Sequence, residues 1–246
     1  MDLEFYKMIL IVLIIFGASF IQTATGFGFG IFAMMFLPFV VLYTEANILS
    51  TMLSIVTSAI VCVYTFKNIS WKNLIFPLIG SFSATQFAVN FIKTQKSDTL
   101  ILLLGVALFL LSIYFFFFSG KIRIKPTWYA GLITGVISGI MSGMFAIGGP
   151  PVVIYYLHSE KNVDDYLATV SAYFVFSGII SVAIKVNAGF LTPNAWLAFA
   201  VGLVGMLIGS VLGKLAREKS DAGKIKKAIY LVMAFSGILN IVTAIV

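Results

Sequence analysis

Two short runs in this chain offer chemistry from the backbone rather than from side chains. They are Thr25-Gly26-Phe27-Gly28-Phe29-Gly30 and Ala146-Ile147-Gly148-Gly149-Pro150-Pro151. Each lies inside a long apolar stretch, where glycine pairs and prolines interrupt a helix. A helix that restarts after such a break presents N–H groups with no intrahelical partner, and its macrodipole adds partial positive charge there. Two such ends facing each other can hold an anion without any charged side chain. The expected donors are Gly28, Phe29, Gly30 and Ile31 at the first break, and Gly148, Gly149, Val152 and Val153 at the second. Pro150 and Pro151 lack an N–H but fix the helical start. Gln22, Thr23 and Thr25 precede the first break, and Ser138 and Ser142 precede the second, adding neutral hydrogen-bonding groups. The candidate binding set is Gln22, Thr25, Gly26, Gly28, Phe29, Gly30, Gly148, Gly149, Pro150 and Pro151.

The rest of the chemical inventory is sparse. Cys62 is the one cysteine and His158 the one histidine. That excludes an intramolecular disulfide and any multi-cysteine metal site. No acidic or basic residue falls within the core of an apolar span. Glu45, His158 and Lys185 fall at edges. The expectation is therefore no buried cation for a substrate and no buried carboxylate for a coupling proton. No nucleophile–base pair lies within the spans, so the chain reads as a non-enzyme with no cofactor. The +7 net charge would suggest nucleic acid in a soluble protein, but here basic residues are expected to mark cytoplasmic loops.

The elements that position the breaks follow from hydropathy. Hydrophobic residues make up 61% of the 246 and charged residues 10%, with mean hydropathy +1.08. A soluble domain carries about a quarter charged residues. This is an all-α polytopic membrane protein. Apolar spans cover 6–25, 27–43, 47–66, 73–92, 99–118, 127–147, 150–158, 166–184, 194–213 and 228–246. Most can cross ~30 Å of hydrocarbon, but 150–158 is too short. The N-terminus lacks a basic region and a cleavage site, so no signal peptide is expected.

The chain divides into two similar halves, 1–120 and 121–246, each opening with an apolar segment and a glycine-rich break. If each break interrupts a crossing helix, loop Lys and Arg fall 7 on one side and 9 on the other. If each break is the tip of a re-entrant hairpin, each half has five segments. One side then carries 12 basic residues, and the other carries Lys7, Lys93, Lys96 and Lys185. The positive-inside rule prefers the hairpins. They make the halves inverted repeats, each a re-entrant helix pair plus three transmembrane helices, and put both termini outside. A repeated break of this kind points to a transporter's substrate site.

Simpler roles account for other residues. Gly131, Gly135, Gly139 and Gly143 recur every four residues, as do Gly205, Gly209 and Gly213 after Gly202. Small-xxx-small spacing fits close helix packing. Trp71, Trp128 and Trp196 lie near span starts and read as interfacial anchors. Asn47, Thr169 and Ser171 read as caps.

At these motifs the chain resembles the sulfite exporter TauE/SafE family, also called the 4-toluene sulfonate uptake permease family. The resemblance rests on Gly26-Phe27-Gly28-Phe29-Gly30, on Gly148-Gly149-Pro150-Pro151-Val152-Val153-Ile154-Tyr155-Tyr156-Leu157, and on Trp71 to Gly80 with Pro77. It extends from about residue 8 to 245. In one departure, Met34 and Met35 occupy a region where members often carry proline, and Pro38 comes later. The resemblance implies transport of sulfite, a sulfonate or a sulfoacetate-like anion across the bacterial cytoplasmic membrane. The expected partners are that anion and the lipid bilayer, with no nucleic acid, and a homodimer stays open. The reading is alternating access at a midplane site between the breaks. The alternatives are a passive anion channel and a non-transporting membrane scaffold.

Overall fold

A computed structural model describes residues 4–118, 124–219 and 222–245, without the side chains of 218–232 and 245. The described residues form ten α-helices and two 3-10 turns. The helices are α1 (Phe5–Thr25), α2 (Phe29–Phe36), α3 (Tyr43–Thr65), α4 (Trp71–Lys93), α5 (Ser97–Phe118), α6 (Trp128–Phe145), α7 (Gly149–Ser159), α8 (Val163–Asn187), α9 (Pro193–Lys219) and α10 (Ala222–Ile245). Among the described residues, seven helices are long and apolar enough to cross a membrane. They are α1, α3 with its 3-10 extension to Asn68, α4, α5, α6, α8 and α9. The outer faces are apolar: Val63, Phe87, Leu110, Ile133 and Val211 are all exposed. Such a girdle is costly in water and suited to lipid.

The expected apolar span 27–43 resolves differently. It forms the eight residues of α2 and a 3-10 turn over Leu37–Phe39. At 1.5 Å per residue α2 is about 12 Å long, far short of a bilayer. Pro38 sits in the 3-10 turn and supplies the stop. In the second half α7 has 11 residues, about 16 Å, and opens with prolines at its first turn. It ends at Ser159 before Asn162, whose side chain caps α8 by accepting from the Asp165 N–H at 2.8 Å.

Helix packing follows a regular scheme. α1 lies along α9, α6 along α4, α3 along α8, and α5 along α10. The short helices pack against the longer ones on either side, α2 on α1 and α3, and α7 on α6 and α8. The glycine stripes make the first two pairings close. A Cβ on Gly135 or Gly139 of α6 would meet backbone carbonyls of Pro77 or Ser81 on α4. Gly205, Gly209 and Gly213 of α9 likewise face carbonyls of Val12, Phe16 and Phe20 on α1. Without hydrocarbon-driven burial between helices, such close van der Waals contact is the main source of association. Trp71, Trp128 and Trp196 stand at the starts of α4, α6 and α9 with half or more of their surface exposed or nearly so.

Gly135→Ala is expected to force α4 and α6 apart, since the added Cβ overlaps the Pro77 carbonyl. The overpacking cost is about 1–3 kcal/mol. It should appear as a lower thermal unfolding midpoint in detergent, and an unchanged midpoint would contradict this packing.

Candidate functional site

The two breaks meet in the interior. A Cβ on Gly30 would overlap the backbone carbonyl of Ala146, so the start of α2 lies directly against the turn between α6 and α7. Gly149 in turn faces Phe27 and Phe174. The first break bends through two left-handed residues, Gly26 at φ +87° and Gly28 at φ +103°. The second turns at Ala146, φ +56°, a conformation that costs a non-glycine residue about 1–2 kcal/mol. The turn is tied back to α6 by two hydrogen bonds. The Ala146 N–H donates to the Ser142 carbonyl at 3.0 Å and the Ile147 N–H to Met141 O at 3.2 Å.

A cavity of about 40 Å³ lies between the breaks. A water needs roughly 10–15 Å³ of such space, so there is room for a small polyatomic ion or a few waters. Of the candidate binding set, Gln22, Gly28, Phe29, Gly30, Gly148, Gly149 and Pro150 line it. Thr25, Gly26 and Pro151 do not. The Thr25 hydroxyl lies 2.9 Å from Ile21 O and 2.8 Å from Phe27 O, bracing the bend. Gly26 packs against Leu167 and Tyr166 of α8.

The backbone of α2 leaves donors at this cavity. Its entry bond runs from the Phe32 N–H to Gly28 O at 3.0 Å. The N–H groups of Phe29, Gly30 and Ile31 precede that bond and have no carbonyl within their own helix. At α7 the same holds for Gly149, while Pro150 and Pro151 contribute none. Both helices direct the positive end of a dipole at one small volume.

Side chains fix the frame. Gln22 Nε2 donates to Ser58 Oγ at 2.6 Å, and Ser54 Oγ donates to Gln22 Oε1 at 3.2 Å, tying α1 to α3. The Tyr173 hydroxyl donates to Ser138 Oγ at 2.8 Å, and Ser138 donates to the Gly148 carbonyl. The C-terminal carbonyls of α6 are met from other elements. Tyr43 OH donates to Met144 O at 2.7 Å, and Asn47 Nδ2 donates to the same oxygen at 2.9 Å. Asn47 therefore caps a helix from the other half rather than its own. Thr169 Oγ1 accepts from the Ser70 N–H at 3.0 Å.

The expectation of no buried cation is overturned. Lys185 lies in the last turn of α8 and is fully buried. Its Nζ donates to Thr51 Oγ1 at 2.7 Å and to Ser142 O at 3.2 Å. The apolar run 166–184 suggests a span that stops just before it, but α8 continues to Asn187. Thr51, Ser54, Tyr173 and Ser177 also line the cavity and were not singled out from the sequence. Their signal is spacing: Tyr173, Ser177, Ser181 and Lys185 recur every four residues along one face of α8.

A second cavity, about 370 Å³, lies beside the 37–42 segment and is bounded by Lys7, Tyr43, Glu45, Ser97 and Asn194. Its wall holds the Glu45 carboxylate, which accepts from the Thr192 hydroxyl. Among the described residues, no group of three or more His, Cys, Asp or Glu gathers as a metal set.

The profile of the sulfite exporter TauE/SafE family matches residues 11–239, which includes both breaks. The chain belongs to that family. TauE/SafE proteins are membrane transporters of sulfur-containing anions, and this one is a multi-pass member. It is similar to a protein of Cupriavidus necator described as a probable sulfite/organosulfonate exporter TauE. The two are 24% identical over 75% of this chain and 78% of that relative. No solved structure matches the chain.

Gly30→Ala is expected to lower the unfolding midpoint, because the methyl overlaps the Ala146 carbonyl. Gly149→Ala should leave it nearly unchanged, since the nearest atom to its Cβ would be 3.5 Å away. Equal midpoints for the two variants would contradict the direct contact between the breaks.

Proposed function

We propose that this TauE/SafE protein carries a small sulfur oxyanion, sulfite or an organosulfonate, by alternating access at the cavity between the breaks. The observation that carries the reading is the cavity itself. Two helix N-termini from different halves of the chain meet there, with Gly30, Gly148 and Gly149 in its wall. Neutral donors, the second Gln22 amide N–H and the backbone N–H groups of α2, suit an acceptor-rich anion. The relative's printed role, probable sulfite/organosulfonate export, points to the same class.

In this reading residues 1–120 and 121–246 are inverted repeats with re-entrant hairpins at each break. Helix packing supports it, since exchanging the halves maps α1 on α9 to α6 on α4 and returns α3 on α8 and α5 on α10 to themselves. Loop contacts support it too. Asn68 Nδ2 donates to Asp165 Oδ1 at 3.2 Å, and Asn73 Nδ2 donates to Glu160 Oε1 at 2.9 Å. The end of α3 and the end of α7 therefore lie together. A chain that crossed the bilayer at each break would have them on opposite faces. Lys7 and Tyr43, before and after the first break, likewise share one cavity. With Lys185 buried in α8, the sparse side keeps only Lys7, Lys93 and Lys96, which strengthens the basic bias. Both termini then face outward from the cytoplasmic membrane. Because each close helix pair joins one half of the sequence to the other, motion of the α1–α9 pair against the α4–α6 pair about the breaks would expose the cavity alternately to the two sides.

The reading predicts that proteoliposomes containing the protein take up labelled sulfite with saturation and counterflow. Gly149→Leu, which fills the cavity, should abolish uptake while the protein still folds. Ohmic anion current without counterflow would indicate a channel instead. Unchanged uptake by Gly149→Leu would overturn the site.

A further inference from the structure

Lys185 is a buried amine without a carboxylate partner. Among the described residues, no carboxylate oxygen lies within 4.0 Å of its Nζ. Charging it there carries a desolvation penalty that only a nearby counter-charge repays. The partial charges at the C-terminal ends of α6 and α8 offset part of that cost. Its two hydrogen-bond partners, Thr51 and Ser142, both line the cavity between the breaks. One turn earlier on the same face, Ser181 is fully buried and its hydroxyl has no partner. The face continues through Ser177 and Tyr173, again in the cavity wall. Thr51 already donates its own proton to Asn47 O at 2.9 Å, so it serves Lys185 as acceptor only.

We propose that Lys185 is the charge-selecting residue of the site. Its ammonium leaves both Thr51 and the Ser142 carbonyl and meets an anion in the cavity, so that burial of the cation and binding of the anion compensate one another. This rests on the cavity being an anion site. The site then accepts sulfite and alkylsulfonates, and refuses a neutral sulfone of the same shape. The backbone donors alone would discriminate far less, because partial charges also bind neutral sulfonyl oxygens. The four-carbon stem of lysine supplies the reach for this shift.

The test is calorimetric titration of the detergent-purified protein with sulfite, methanesulfonate and dimethyl sulfone. Wild type should bind both anions and not the sulfone. Lys185→Gln and Lys185→Met should weaken both anions by ~10- to 100-fold, the size of a charge-assisted hydrogen bond. A folded Lys185→Gln that binds both anions as wild type does would overturn the proposal and leave the lysine as a cap of α6. Thr51→Val provides a second arm should the lysine variants fail to fold. It removes an ammonium partner of the empty state, so sulfite should bind more tightly. Unchanged or weaker binding there overturns the proposal. A wild type that binds neither anion overturns the anion-site reading itself, and this inference falls with it.

Discussion

An unpaired backbone N–H or C=O in hydrocarbon costs several kcal/mol, and this chain interrupts two helices within its apolar zone. That constraint explains why the breaks face each other rather than lipid. Gly30 has no side chain because the Ala146 carbonyl occupies that space. The carbonyls that end α6 are met by Tyr43, Asn47 and Lys185, which come from α3 and α8. The donors that start α2 and α7 are left toward the cavity. Acceptors are satisfied by the protein and donors are left over, which is the polarity the proposed anion site requires.

The paired helices around this centre serve the same end. Glycine stripes on α6 and α9 let backbones touch those of α4 and α1, so the frame is stiff where the breaks are irregular. The α3–α8 pair carries most of the polar side chains that reach the cavity. Gln22 is held by two α3 hydroxyls, and Ser138 by Tyr173 of α8. Each break is therefore positioned by side chains of the long helices beside it.

Much of this was legible in the sequence. The breaks at Gly26–Gly30 and Gly148–Pro151, the membrane class and the shortness of α7 follow from glycine, proline and hydropathy alone. The shortness of α2 was harder, because residues 27–43 are continuously apolar and only Pro38 marks the stop. Lys185 does lie at the edge of its apolar run, in the last turn of α8, but a charged residue at a span edge gives no sign that the edge is buried. What decides its position is a tertiary fact, the proximity of α8 to Thr51 and Ser142. Position in the sequence groups Thr25 and Gly26 with the cavity-lining residues, yet they shape the bend behind the cavity. Sequence spacing identifies a break but does not say which side of it faces inward.

The proposed small anion sits where the two breaks meet. Selenite is a heavier isostere of sulfite and gives an anomalous X-ray signal. Crystals grown with selenite should show one anomalous peak within hydrogen-bond distance of the Gly30 and Gly149 N–H groups. A peak only in the larger cavity beside Tyr43 and Glu45, with none between the breaks, would contradict the account.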